Sequence, residues 1–392
     1  MDIYHRAIEL REETQRHRRF FHENAEVGLE LPEACAYVEQ ELRRCGIEPI
    51  RCGGGITAQI GSGEPVILLR ADMDALPMAE ESGLPFACKS GKAAHTCGHD
   101  LHAAMLLTAA KLLKERETTL RGTVKLMFQP GEEPLTGCSR MLEQGVLSDP
   151  KPDAAFSCHV AAGRAEPGML LYNDSSTMMF SVNNFAITVH GRGAHGAYPQ
   201  DSVDPINIGV HIHLALQALI AREIGPMDAC AVTVGQFEAG SAPNIIPETA
   251  VLRGTLRTGS KAVQEKLVRR LREVAEGTAA VYGGSAEVRL LTDIPPLRCD
   301  GETVRELTAY MRELPGLQTA GGIEASASED FALIAARIPS AYFYLTAGFA
   351  DERGDFPAHN PKVQFSEDVL PLGAAVYAHG ALRWLEEHAG TC

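Results

Sequence analysis

The chain has 392 residues, of which 45% are hydrophobic and 22% charged, and its formal net charge is −15 at pH 7. This composition is typical of a soluble protein long enough for two domains. The acidic balance argues against nucleic acid or an anionic membrane surface as a partner, because both require a basic face. No run approaches the roughly 18 apolar residues of a membrane span, so no membrane segment is expected.

The amino-terminal stretch MDIYHRAIELREETQRHRRF is charged and has a helical pattern. It lacks the apolar centre of a signal peptide. The ten cysteines of the chain are scattered, without a CxxC pair. We therefore predict reduced thiols rather than a disulfide framework, and a cytoplasmic location.

Short apolar runs alternate with helical patterns in the first 160 residues. Helices are predicted at Pro32–Cys45 and Asp100–Glu115, and strands at Val66–Leu69, Val124–Phe128 and Ala154–Ser157. Apolar strands bounded by turns and separated by helices are typical of a mostly parallel sheet in an α/β domain.

The middle of the chain follows a different order of elements. Its predicted elements are the strand Phe185–His190, the helix Asp204–Glu223, the strands Cys230–Phe237 and Ala250–Arg257, the helix Lys261–Tyr282 and the strand Ala286–Leu291. This β-α-β-β-α-β order is typical of a ferredoxin-like α+β domain.

The α/β style returns from about Pro295. A helix near Glu302, a strand at Ala341–Leu345 and a final helix at Val369–His388 are predicted there. We therefore predict an α/β fold with two domains. A discontinuous domain of residues 1–180 and 294–392 has a mixed, mostly parallel α/β/α architecture, and residues 181–293 form the inserted ferredoxin-like domain.

Acidic and histidine side chains follow the predicted strands of the first domain. They are Asp72 and Asp74, the pair Glu132-Glu133, His159 and, after the late strand, His359. Ligands of open α/β sheets bind at the carboxyl ends of the strands. A hydrolytic metal site needs one acid as ligand and one free acid as base, and two neighbouring glutamates can divide those tasks. The alternative for this pair is a solvated acidic turn, against which the preceding Pro130-Gly131 turn argues.

The densest local signal is the segment His95-Thr96-Cys97-Gly98-His99-Asp100-Leu101-His102, just before a predicted helix. Cys97 and His99 can face one point if the segment is a loop, and Asp100 then caps the helix. Thiolate, imidazole and carboxylate are ligands of zinc, manganese, cobalt and nickel. A polar loop with surface histidines is the alternative, and the acids at the strand ends favour the metal site.

Several motifs together resemble a known family. They are RADMDALP (70–77), HTCGHDLH (95–102), FQPGEE (128–133), GRGAH (191–195), PNIIPE (243–248), SEDF (328–331) and HNP (359–361). Their order and spacing are similar to those of the hippurate hydrolase and auxin-conjugate amidohydrolase family, within the aminoacylase and metallo-carboxypeptidase clan. The resemblance spans nearly the whole chain.

The resemblance implies a centre of two divalent metal ions (Mn, Zn, Co or Ni). Its metal ligands would be Cys97 as the bridge, His99, Glu133, His159 and His359. Glu132 would activate a metal-bridging water and later protonate the leaving amine, and Asp74 would orient a ligand. The role of Asp72 stays open, because many clan members have a metal-binding histidine at that position.

The resemblance also assigns roles to the inserted domain, as a lid and dimerisation domain. His195 would stabilise the oxyanion, often from the partner subunit of a dimer. Asn244 and Arg257 would hold substrate groups, since a guanidinium suits the carboxylate of an amino acid. Pairing with an acid on the small sheet is the alternative for Arg257.

These observations predict a metal-dependent amidohydrolase that releases an amino acid from an N-acyl amino acid or a related small amide. The chain is expected to form a homodimer or higher homo-oligomer. A dipeptidase, or a deacetylase of the N-acetyl-diaminopimelate type, would use the same centre. A non-enzymatic binding protein on this fold is a further alternative, which the retained base and ligands disfavour.

Overall fold

The computed structural model describes residues 2–390. Cys392, one of the predicted reduced thiols, therefore lies outside the described residues, and the other nine cysteines are free thiols. Among the described residues, no helix combines the length and the apolar character needed to cross a lipid bilayer.

Helices and strands alternate along much of the described chain. The α-helices are Ile3–Glu9 (α1), Arg11–Glu23 (α2), Pro32–Arg44 (α3), His99–Lys114 (α4), Gly137–Glu143 (α5), Pro205–Glu223 (α6), Lys261–Val281 (α7), Gly301–Met311 (α8), Ala332–Ala335 (α9) and Leu370–His388 (α10). The strands are Pro49–Cys52 (β1), Gly55–Gly61 (β2), Val66–Asp72 (β3), Thr123–Gln129 (β4), Ala154–Ala161 (β5), Met169–Leu171 (β6), Thr177–Met179 (β7), Asn183–His190 (β8), Ala194–His195 (β9), Cys230–Ala239 (β10), Ile245–Ile246 (β11), Thr249–Thr258 (β12), Ser285–Leu290 (β13), Leu297–Arg298 (β14), Gln318–Ala320 (β15) and Ser340–Thr346 (β16). Short 3-10 helices lie at Glu117–Thr119, Pro199–Asp201, Glu352–Asp355 and Glu367–Val369.

The chain divides into two compact units. The larger unit contains the residues up to Ser176, the segment Arg298–Ile323 and the residues from Leu333 onward. The smaller unit contains Thr177–Leu297 and Glu324–Ala332. The boundaries inferred from the sequence thus lie four residues inside the observed insertion, at 181 and 293.

One segment belongs to a different unit from the one assigned to it by sequence. The sequence analysis placed all of residues 294–392 in the first domain, whereas 324–332 lies in the smaller unit. The reason is backbone pairing with the start of that unit. Met179 bridges Ala325, and the Phe180 N–H donates to the Ala327 carbonyl at 2.9 Å.

The larger unit is built on an eight-stranded mixed sheet in the order β1-β2-β4-β3-β5-β16-β6-β15. The central strands β4, β3, β5 and β16 run parallel to one another, while β1, β2 and β4 pair antiparallel. Every residue of β3 and β4 is buried, as expected for central strands covered on both faces. The parallel arrangement brings the carboxyl ends of β3, β4 and β5 to one edge of the sheet.

The smaller unit is a four-stranded antiparallel sheet in the order β10-β12-β8-β13, with the helices α6 and α7 packed together on it. Its core joins Ile187 of β8 to Ile212 of α6 and Leu271 of α7. The β-α-β-β-α-β order predicted from the sequence is confirmed. So is the α/β class with a mostly parallel larger sheet.

Candidate metal centre

The carboxyl edge of the large sheet brings together the acids and histidines that follow its strands. Asp74 lies two residues beyond β3, and the pair Glu132-Glu133 lies three and four residues beyond β4. His159 lies within β5, and Cys97 immediately precedes the Gly98 turn into α4. This is the edge at which the sequence analysis placed the site.

Two groups of potential ligand atoms share the thiol of Cys97. One group is Cys97, His99 and His159, and the other is Cys97, Glu133 and His359, each with its ligand atoms within 4.8 Å of one another. The structure thus brings together all five side chains that the sequence analysis named as metal ligands. Two groups with a common thiolate suit a pair of cations bridged by sulfur.

Gly98 allows the sharp turn between Cys97 and His99. Its φ is 93°, and a Cβ atom there would lie 2.3 Å from the Val160 Cγ2 atom. A side chain is therefore excluded both by the backbone conformation and by the neighbouring strand. The turn starts α4 at His99, so that a loop residue and a helix residue face the same point.

Both ring nitrogens that would meet a cation are held in place by hydrogen bonds at the opposite nitrogen. His99 Nδ1 donates to the Asp74 carbonyl at 2.8 Å, and its buried Nε2 has no hydrogen-bond partner among the described residues. His159 Nδ1 donates to the Val160 carbonyl at 2.7 Å, while its Nε2 lies 3.5 Å from Cys97 Sγ. A buried nitrogen without a partner is costly, and a metal ion at this point satisfies it. The residues present therefore fit a metal.

Asp74 organises the turn that carries the two glutamates. Its Oδ1 accepts the Glu132 N–H at 2.9 Å, and its Oδ2 accepts the Glu133 N–H at 3.1 Å. Glu133 Oε1 lies 3.4 Å from His359 Nε2. Glu132 has a carboxylate oxygen within 4.8 Å of ligand atoms of both His99 and Glu133. Asp74 thus fixes the backbone of the turn from which both glutamates reach the cluster, Glu133 beside His359 and Glu132 beside His99.

The charges of this cluster favour a cation. Hydrogen bonds from its ring to Cys97 and Glu133 raise the pKa of His359 to about 10. Burial opposes a charge on His99, but the nearby Asp72 and Cys97 raise the pKa of its imidazole well above the usual value. Burial lowers the pKa of His159 well below its usual value. The positive charge that the acids attract is a proton on His99 or His359, or a metal ion that displaces it.

Asp72, whose role the sequence left open, belongs to neither group that shares the thiol of Cys97. Its Oδ2 accepts from Arg70 Nη1 at 2.6 Å, and its Oδ1 accepts from His102 Nδ1 at 2.5 Å. Its nearest approach to a ring nitrogen of His99 is 3.9 Å. Neither Arg70 nor His102 was singled out from the sequence. The spacing of His102 three residues after His99 is the signal that could have found it, since such residues share a helix face.

A second buried ionic cluster lies behind the metal-binding segment. His22 of α2 places Nδ1 2.8 Å from Asp100 Oδ2 and Nε2 2.8 Å from Glu80 Oε1. Arg18 Nε donates to the same Asp100 oxygen at 3.0 Å. Burial disfavours the charged ring, but hydrogen bonds to Asp100 and Glu80 raise the pKa of His22 to about 9. The cluster ties α2 to the first turn of α4, next to His99.

We expect the stability that the charged His22 contributes to disappear at alkaline pH. Because folding raises its pKa from 6.5 to about 9, the contribution is complete below pH 6.5 and is lost as the pH passes about 9. The difference in unfolding free energy between the wild type and His22→Gln should fall by up to roughly 3 kcal/mol over this range. Urea titrations in chelator at several pH values measure it, and a difference independent of pH would contradict the assignment.

In the smaller unit, the ribbon of β9 and β11 holds His195 beside Asn244. His195 pairs with Ile245, and the Gly196 N–H donates to the Asn244 carbonyl at 2.8 Å. The Ala197 N–H donates to His195 Nδ1 at 3.1 Å. The neutral ring of the exposed His195 therefore carries its proton on Nε2, where it is available as a donor.

Arg257 lies on β12 without an acidic partner. Its hydrogen bond goes to the Ser328 hydroxyl, and no carboxylate of the described residues forms an ion pair with it. Burial lowers the pKa of its guanidinium. The alternative that Arg257 pairs with an acid on the small sheet is therefore wrong. Ser328 was quoted from the sequence only as part of a motif, and only the fold connects it with Arg257.

Comparison with known proteins supplies the family. The profile of peptidase family M20/M25/M40 matches residues 68–383. The chain is 36% identical over 388 residues to "IAA-amino acid hydrolase ILR1-like 2" of Arabidopsis thaliana, covering 95% of this chain and 85% of that protein. It is 34% identical over 375 residues to "N-acetyl-L-cysteine deacetylase" of Bacillus subtilis, covering 95% and 88%.

A solved structure agrees with these relatives. The Bacillus subtilis YXEP protein, described as a dinuclear metal-binding peptidase from the M20 family, superposes with a TM-score of 0.80 at 30% identity. The match covers 96% of this chain and 99% of that one. The resemblance inferred from the motifs is thereby confirmed.

Proposed function

This chain belongs to peptidase family M20/M25/M40 and is a metal-dependent amidohydrolase, and we propose which of its residues act in the hydrolysis of an N-acyl amino acid. The observation that carries the proposal is the pair of ligand groups sharing Cys97, with Glu132 beside them. We propose that they would hold two divalent metal ions, with Cys97 as a ligand in both groups. When bound, the ions would supply Lewis-acid activation of water and of the scissile carbonyl.

Glu132 is the proton carrier of the proposed reaction. It takes a proton from the attacking water as the C–O bond forms, and it delivers that proton to the amide nitrogen as the C–N bond breaks. The products are the carboxylate of the acyl group and the free amino acid. Asp74 keeps this carboxylate in place through its hydrogen bonds to the backbone of the turn.

The smaller unit supplies the groups that meet the rest of the substrate. The His195 Nε2–H donates to the oxyanion that develops on the scissile carbonyl. Arg257 binds the α-carboxylate of the amino acid, and Asn244 holds a polar group of the substrate. The support for Arg257 is its desolvated guanidinium without an acidic partner.

The substrate class follows from what the relatives act on. One is named for conjugates of an amino acid and the other for an N-acetyl amino acid. The second name describes an acyl group on the nitrogen of an amino acid. We infer the same bond for this chain, as part of a cytoplasmic enzyme that keeps Cys97 reduced. Cell fractionation that recovered the protein outside the cytoplasm would contradict the inferred location.

The decisive test is a panel of substrates assayed with defined metals. Metal-free protein reloaded with manganese, zinc, cobalt or nickel is offered acetyl, benzoyl and long-chain N-acyl amino acids and a dipeptide. We expect metal-dependent release of amino acid from at least one N-acyl substrate. Preferential cleavage of the dipeptide would favour the dipeptidase alternative, and activity unaffected by metal removal would contradict the mechanism.

Arg257→Ala is expected to lower kcat/KM for N-acyl amino acids by about 10–100-fold, because a hydrogen bond to a charged group contributes about 1.5–3 kcal/mol. The matched amide substrate, which lacks the α-carboxylate, should lose little. Arg253→Ala is the control, since Arg253 lies on the same strand but pairs with Glu238 at 2.9 Å. Equal losses of kcat/KM on acid and amide substrates would show that Arg257 does not bind the α-carboxylate.

We also propose a homodimer in which His195 serves the centre of the partner subunit. Two inactive variants, Glu132→Gln and His195→Ala, should then regain about a quarter of wild-type activity when mixed and allowed to exchange subunits, since random pairing restores one intact site in half of the dimers. Sedimentation gives the oligomeric state. A dimer whose mixed variants stay inactive would place His195 within its own chain.

A further inference from the structure

His102 is a buried histidine beside the candidate ligands that does not belong to either group sharing Cys97. Its ring centroid lies 5.3 Å from that of His99 and 4.3 Å from that of His159. With Asp72 and His99 it forms a third group of close ligand atoms. Both of its nitrogens are nevertheless engaged in hydrogen bonds within the protein. It therefore has no lone pair left for a metal.

The hydrogen bonds of His102 determine its tautomer. The Val160 N–H lies 2.8 Å from His102 Nε2, and since a backbone N–H can only donate, Nε2 carries the lone pair. The ring proton is then on Nδ1, which donates to Asp72 at 2.5 Å. His102 is a neutral imidazole, which adds no positive charge next to the cation site.

Val160 connects this ring to a candidate metal ligand. Its carbonyl accepts the Nδ1–H of His159 at 2.7 Å, which turns His159 Nε2 towards Cys97. The strand β5 pairs with β3 only as far as Ser157. Val160 therefore lacks a strand partner on that side, and His102 takes the place of one.

Asp72 is held in turn by Arg70. Arg70 Nη1 donates to Asp72 Oδ2 at 2.6 Å, and Arg70 Nε donates to Gln129 Oε1 at 3.0 Å. The ion pair balances the buried charge of Asp72 and leaves its other oxygen to accept from His102. A continuous chain of contacts thus runs from Arg70 through Asp72, His102 and Val160 to His159.

We propose that Asp72 and His102 are positioning residues that hold His159 as a ligand, without binding the metal themselves. The inference rests on the metal centre proposed above. It assigns a role to the aspartate at the position where a metal-binding histidine was considered. In this chain, that aspartate orients a histidine instead.

Asp72→Asn tests the chain of contacts with the smallest change in shape. An asparagine has one oxygen for two donors, Arg70 and His102, so one of them must face its amide group. If His102 faces the amide, its tautomer is reversed, and its Nε2–H then opposes the Val160 N–H. We expect the zinc ion held through His159 to lose affinity by about 10–100-fold, and the visible spectrum of the cobalt-substituted protein to change. The other ion should stay bound.

Ser157→Ala is the matched control. Ser157 is a buried residue of β5, and its hydroxyl donates to the backbone carbonyl of Arg70 at 3.1 Å, whereas the proposed chain of contacts uses the Arg70 guanidinium. This variant should keep wild-type zinc affinities and the wild-type cobalt spectrum. Equal losses in both variants would indicate a general loosening of the core and would overturn the inference.

A measurement on the wild type makes the inference independent of whether Asp72→Asn folds. Nitrogen-15 NMR of labelled histidines in the zinc-loaded protein should show His102 with its proton on Nδ1, and a proton on Nε2 or a charged ring would overturn the proposal. Unchanged zinc affinity and cobalt spectrum in a folded Asp72→Asn variant would overturn this inference alone. A wild type that binds no metal would overturn the proposed centre as well.

Discussion

Glu132→Gln is expected to lower kcat by about 10²–10⁴-fold, the range for loss of a general acid and base. Glutamine keeps the size of the side chain, and the turn should persist because Asp74 holds it by the backbone N–H groups. Metal binding should therefore stay close to wild type. Initial rates on the best substrate, with metal content measured by mass spectrometry, test both statements together.

The neighbouring Glu133→Gln variant gives this experiment its contrast. Glu133 belongs with Cys97 and His359 to one ligand group, so its loss should lower metal affinity as well as activity. The two variants carry the same substitution at adjacent positions of one turn, and they therefore have the same net charge. If Glu132→Gln kept more than about a tenth of wild-type kcat, or lost metal as Glu133→Gln does, the assignment of Glu132 as the proton carrier would be wrong.

Cys97→Ala should weaken the binding of both metal ions, by at least about 100-fold at each position, since losing a direct ligand exceeds the 10–100-fold typical of an outer partner. The reason is geometric, because the Cys97 thiol is common to the two ligand groups. Activity should be lost with the metals. Isothermal titration of the metal-free protein with zinc measures both affinities.

His159→Ala and His359→Ala are the matched comparisons, because each histidine belongs to only one of the groups that share Cys97. Each variant should weaken one metal ion and spare the other. Circular dichroism and melting curves control for folding. A Cys97→Ala protein that retained one ion at wild-type affinity would show that the thiol serves a single metal, and the bridging role would have to be given up.

Local patterns were sufficient for much of the fold. The order of strands and helices in the insertion followed from the alternation of apolar residues, and the structure has the same order. The helix predicted from Asp100 begins at His99 instead, because Gly98 in a left-handed conformation makes the turn one residue earlier. The antiparallel hairpin of β1 and β2 was not predicted, and its first strand, β1, has only four residues, two of them exposed.

Pairings between residues far apart in the sequence could not be predicted from such local patterns. Residues 324–332 could not be assigned to the smaller unit from composition, because their pairing partners lie about 150 residues earlier in the chain. The same holds for Ser328 and Arg257, which are joined by a hydrogen bond across 71 residues. A contact of this kind depends on which segments of the chain pack together, and neither residue type by itself identifies its partner.

The sequence by itself determined which chemical groups the centre contains, because thiol, imidazole and carboxylate side chains at the ends of buried strands can be recognised from the order of residues alone. Only the tertiary structure decided which of them face one another. It places Cys97 in both ligand groups, and it pairs Asp72, which belongs to neither of them, with Arg70 and His102. The physical reason is that a buried carboxylate goes to the donors that compensate its charge, and those donors are brought to it by the packing of β3, β4 and α4.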